Sequence, residues 1–125
     1  MTIEGIIDRL KEHPGLANLL DGRIFPIGLP ADTERPALTY EIQTGRHITS
    51  KDGPGGLHAD TFRFVAWGEV QNDSRAVSTA LGQALQWLRT MRTIHNAIPG
   101  TPSDDVMPDP FTWLCISTYA IWWRE

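Results

Sequence analysis

Cys115 is the only cysteine in the chain, and a thiol attacks only when a neighbouring base or cation makes it a thiolate. It stands between Leu114 and Ile116 in an apolar run, which predicts a buried, inert side chain. His58-Ala59-Asp60 places two potential metal ligands on one face of a strand, while zinc takes three or four. His13, His47 and His95 lie far off in sequence, so the pair reads as polar residues at a hairpin end. Gly53-Pro54-Gly55-Gly56 lacks the Lys-Ser/Thr and the following helix that a phosphate loop needs, and reads as turn chemistry. Asp104-Asp105 and Asp109 sit in a proline-rich stretch with no apolar pocket to raise a carboxyl pKa. Asn72-Asp73-Ser74 matches a glycosylation sequon but reads better as the cap of a helix.

No catalytic constellation survives this census, so the chain is not expected to be an enzyme. Its net charge is −4, with 11 basic against 15 acidic residues and no cationic block. Phosphate-neutralising DNA recognition rests on clustered Lys and Arg, and none is present. One cysteine excludes an internal disulfide, and the N-terminal stretch carries Glu4 and Asp8 where a signal peptide would be apolar. No apolar run approaches the roughly 20 residues of a membrane span. A soluble protein folding in a reducing cytoplasm is expected.

The elements that would carry these residues follow from periodicity. Residues 1–125 suit a single domain. Thr2 can cap a first helix whose Ile3, Ile6, Ile7 and Leu10 share a face, ended by His13-Pro14-Gly15. Leu16 to Leu20 suggests one further turn, stopped by Asp21-Gly22. After Ile24-Phe25, Pro26, Pro30 and Pro36 punctuate a solvated connector, expected to keep its two ends from pairing. Leu38, Tyr40 and Ile42 alternate with polar residues, as do Phe62, Phe64 and Ala66 further on, predicting a hairpin of strands 37–48 and 57–67. Val77, Ala80, Leu81, Ala84, Leu85, Leu88 and Met91 form the apolar stripe of a long helix capped by Asn72, Asp73 or Ser74. Thr93 to Ile98 suggests a short strand, and Pro99 to Pro110 a long loop.

Phe111 to Trp123 decides the architecture, because both of its faces are apolar. Such a strand must be covered on both sides. The expected fold is α+β: an open, mainly antiparallel sheet of four to five strands with two helices on one face. Its second face or an edge is then left for something outside the chain.

The order of "GRIFPIGLPADTERPALTYEI", a Gly-rich hairpin, "TFRFVAWGEVQNDSRAVSTAL" and "WLCISTYAIWWRE" resembles the tail-completion family of long-tailed phages, the tail terminator or head–tail joining proteins. The likeness runs over nearly the whole chain and is carried by order and spacing. It implies a virion protein at the neck end of the tail, assembled in the host cytoplasm without a cofactor or a membrane. It implies a self-assembled ring, commonly a hexamer, that caps the tail tube protein and meets the head connector or stopper while DNA passes without specific binding. The candidate contact residues are then Ile27 and Leu29 in the connector, and Arg46, His47, Lys51 and Asp52 in the hairpin tip. Val106 and Met107 in the third loop join them, with Trp113, Trp122 and Trp123 on the last strand. A neck or connector-stopper protein, or a small peptide-binding module using its sheet face, stands as the alternative.

Overall fold

A computed structural model describes residues 2–46, 57–108 and 111–124. Among these, three helices lie on one face of a six-stranded, mostly antiparallel sheet. Helix α1 (Ile3–Glu12) starts where Thr2 Oγ1 accepts a hydrogen bond from the Gly5 amide at 3.0 Å, and it buries Ile6, Ile7 and Leu10. Pro14 ends α1 and also opens α2 (Pro14–Leu20), since a proline at the first helical position loses no hydrogen bond. The expected single turn is therefore a third helix. It stops at Asp21 and Gly22, both in the left-handed region at φ 47° and 78°.

Strand β1 (Ile24–Pro26) and β2 (Ala37–Arg46) pair in parallel, Ile24 opposite Leu38. The proline-rich connector was expected to hold these ends apart, and here the structure corrects the sequence reading. Parallel partners need the chain to travel back along the strand, which a tight turn cannot do. Arg23 fixes the entry: its Nε donates to Pro36 O at 3.0 Å and its Nη2 to Leu19 O at 3.4 Å.

Strand β3 (Leu57–Gly68) runs antiparallel to β2, with a register shift between Ile42 and Thr44. Helix α3 (Gln71–Thr90) follows at once and packs on the sheet through Val77, Leu81, Ala84, Leu85 and Leu88. Its N-cap is Val70, with no side-chain cap; Ser74 Oγ instead donates to Gln71 O at 3.0 Å. The expected Asn72-Asp73-Ser74 cap thus lies inside the first turn.

The chain then forms β4 (Asn96–Pro99), β5 (Ser103–Pro108) and β6 (Phe111–Arg124). Strand β6 pairs with β3 along its length, and β4 and β5 share its other flank. Ala97 lies opposite Ile121 and Asp104 opposite Cys115. The stretch read as a long loop therefore contains an edge strand. The core lies between helices and sheet, around Phe62, Phe64, Leu38, Ile121 and Trp123.

Candidate assembly surface

Side chains alternate across a strand, so the residues between the core positions form the outer face, away from the helices. Cross-strand register places Trp67 beside Leu114, Val65 beside Ile116, Arg63 beside Thr118, Thr61 beside Ala120 and Ala59 beside Trp122. Asn96 and Ile98 of β4 continue it beyond Trp122 and Ala120. No helix covers this face among the described residues.

Its two ends differ. At the β1 end the connector folds back and shares a cleft of about 390 Å³ with Trp67, Met107 and Thr112. Thr39, Val65, Thr112 and Leu114 are buried there by the chain itself. The expectation that nothing within the chain was left to cover this face is thus wrong at this end. The Trp67 indole donates to Thr39 Oγ1 at 3.0 Å, and Arg63 pairs with Glu41 at 3.1 Å in mid-sheet.

The far end stays open. Trp122 is half-buried and, with His95, Asn96, Ile98 and Arg124, lines a shallow hollow of about 420 Å³. Ile98 there is 52% exposed; away from this end, Phe111 at the start of β6 is 57% exposed and Ile27 in the connector 80%. The Phe111 and Trp113 rings meet edge to face, with ring centroids 6.0 Å apart and planes at 85°. These apolar groups rim the sheet rather than fill it. Prolines limit the β4 and β5 edge strands, a common guard against indiscriminate pairing. On the opposite flank β1 spans only Leu38 to Tyr40 of β2, so among the described residues the edge from Glu41 onward has no strand beside it.

The expected contact residues fall into distinct places. Leu29 and Met107 meet at the connector cleft, and Val106 pairs with Trp113 across the β5–β6 ladder. Ile27, Val106 and Met107 are exposed, and Trp113 and Trp122 are half-buried. Trp123 does not belong with them: it is 6% exposed, and its Nε1 donates to Asp60 Oδ2 at 2.8 Å within the core. His47, Lys51 and Asp52 lie outside the described residues, and of Arg46 only the backbone is described. Ile98 and Phe111 were missed, because exposure of an apolar residue at a strand end leaves no mark on periodicity.

Gly53 to Gly56 and Asp109 lie outside the described residues; His58, Cys115, Asp104 and Asp105 have structural partners. His58 stacks on the Trp123 indole at 4.4 Å, beside the Asp60 that this indole bonds. Cys115 is buried on the helix side. It lines a hollow of about 330 Å³ with Arg75 and Asp104. Arg75 Nη2 reaches Asp104 Oδ2 at 2.7 Å. The hydrogen bond from Arg75 holds the Asp104 carboxyl below its ordinary range, against desolvation, with a lesser bond from Cys115. Asp105 points its carboxylate back to the Val106 amide at 2.8 Å, so the two acids do not converge. Burial raises the phenol pKa of Tyr119, in contact with the core. Among the described residues no three His, Cys, Asp or Glu side chains come within reach of one metal ion, and no helix is long and apolar enough to cross a membrane.

No protein-family model and no curated protein matches the sequence. Among solved structures, the chain is similar to one from the "Virion of native gene transfer agent (GTA) particle". The two superpose with a TM-score of 0.68 over 96% of this chain and 92% of that one, at 9% identity. At that identity the likeness is one of fold, and it extends over nearly the whole of both chains.

Proposed function

We propose that this chain is a structural protein of a phage-like particle: a tail terminator whose copies close into a ring, a hexamer, on the end of the tail tube. The observation that carries the reading is the fold shared almost end to end with a gene transfer agent virion chain. The sheet supports it independently. A monomer that leaves Ile98, Phe111, Val106 and Met107 along one sheet flank carries apolar area suited to a neighbour. Identical subunits joined by two different surfaces form a ring when the rotation closes. In such a ring the open β2 edge and the β4–β5 flank lie at opposite sides of each subunit, which suits head-to-tail contact. The tube protein lies on one face of the ring and the head connector on the other, with no catalytic step and no cofactor. The acidic balance of the chain disfavours tight binding of the DNA that threads the pore.

Polymerisation of the cognate tube protein, with and without this chain, tests the reading. The expected result is arrest of elongation and one ring at a tube end in negative-stain images. Tubes that grow to the same lengths with bare ends in its presence would overturn it.

A further inference from the structure

The flank formed by β4 and β5 carries exposed apolar residues on a sheet edge, the combination that invites another strand to pair. Which backbone groups face outward follows from the ladder. The Gly100 N–H donates to Thr118 O at 2.8 Å, so alternation of bonded and non-bonded positions turns Ala97 and Pro99 of β4 away from β6. The same alternation along β6 turns Asp104, Val106 and Pro108 of β5 outward. Most of these positions offer no donor. The Ala97 N–H donates to Asn96 Oδ1 at 2.9 Å, and the Val106 N–H to Asp105 Oδ1 at 2.8 Å. Pro99 and Pro108 have no N–H at all. Asp104 alone keeps an outward amide that no side chain caps among the described residues.

We infer that Asn96 and Asp105 close this flank to strand addition, so that a second copy of the chain cannot continue the sheet through it. A joining strand needs donors and acceptors in alternation. Here it meets a row of carbonyl acceptors with a single amide among them. Asn and Asp suit the task, because their short side chains reach a neighbouring backbone N–H in competition with a ladder. The device occurs in both edge strands with the same spacing. Asn96-Ala97-Ile98-Pro99 and Asp105-Val106-Met107-Pro108 each set a capping side chain, the outward amide, one further apolar residue and a proline. Head-to-tail continuation of the sheet would need this flank from every copy, so closing it closes the series. The inference stands on the flank alone. In the proposed ring, on which only this consequence rests, neighbouring copies meet the flank through side chains such as Ile98, Val106 and Met107.

Amide hydrogen exchange and sedimentation of the full chain test it. In the unaltered protein the Ala97 and Val106 amides are expected to exchange about ten-fold more slowly than that of Asp104, the worth of one net hydrogen bond. Asn96→Ala combined with Asp105→Ala is expected to self-associate at about ten-fold lower concentration, with the Asp104 amide becoming protected as strands pair. Asn96→Asp combined with Asp105→Asn keeps both acceptors and the net charge, and should behave as the unaltered chain. Should the alanine variant fail to fold, the exchange rates of the unaltered protein decide. Exchange at Ala97 and Val106 as fast as at Asp104, or equal self-association of the two double variants, would overturn the inference. Rings in which the Asp104 amide becomes protected would overturn it while upholding the ring, whereas bare tube ends would leave these exchange rates unchanged.

Discussion

The Trp123 indole N–H donates to Asp60 Oδ2 at 2.8 Å, and the two residues are 6% and 3% exposed. This bond ties β6 to β3 deep under the helices, where a carboxylate without a donor would be costly. Trp123→Phe keeps most of the ring volume but removes the donor. It is expected to destabilise the fold by about 1–3 kcal/mol, the cost of leaving a buried acceptor unsatisfied. Urea unfolding of the variant measures this; an unchanged midpoint would mean that Asp60 finds another donor.

Gly68 closes β3 directly before α3, and its lack of a side chain lets the helix start there. A Cβ at this position would lie 2.7 Å from the Ser74 amide nitrogen and 2.9 Å from Asp73 Cβ. Backbone cannot step aside as a flexible side chain can. Gly68→Ala is expected to cost about 1–3 kcal/mol through overpacking. At Gly82 the nearest contact is the Tyr119 hydroxyl at 3.3 Å, so Gly82→Ala should cost less. Parallel thermal melts of the two variants rank them.

The Arg75–Asp104 pair links α3 to the edge strand β5. Since Arg75 lowers the folded-state pKa of Asp104 below its unfolded value, the pair stabilises above the unfolded pKa. That contribution fades as pH falls through the lower, folded pKa. The stability gap between the wild-type chain and Arg75→Gln should therefore be present at neutral pH and close in acid. Its size is small, because the pair is solvent-facing. A gap that widens on acidification would contradict the assignment.

Much of this was legible from the residues. The Thr2 cap and the stripe from Val77 to Leu88 are local signals, complete within a few turns, and both helices formed there; Met91, read as the last member of the stripe, lies just past α3 and is 61% exposed. Phe62, Phe64 and Ala66 likewise announced a core face. Strand β5 was illegible because every residue from Ser103 to Pro108 is exposed, so no alternation marks it; its pairing comes from β6 alone. The parallel pairing of β1 was hidden for a different reason: three residues ending in proline carry little pattern. At the candidate surface, Trp122 and Trp123 were equivalent in sequence, each on an apolar face. Only the helices' choice of side makes Trp123 core and leaves Trp122 half open.

That asymmetry separates folding from assembly. Trp122→Ala is expected to cost about 1–2 kcal/mol, less than the 3–5 kcal/mol typical of a fully buried tryptophan. Phe111→Ser, at an exposed strand end, should change stability by no more than about 0.5 kcal/mol. Both variants are expected to stay folded in thermal melts yet fail to ring the tube end. Normal ring formation by both would remove this flank from the interface.

In the proposed role the chain ends the tail and joins it to the head. Electron microscopy of particles made by a host with this gene deleted, against the intact host, tests it most directly. The account requires tails of uncontrolled length left unjoined to filled heads, restored when the gene is supplied in trans. Complete particles with tails of normal length in the deletion host would contradict it.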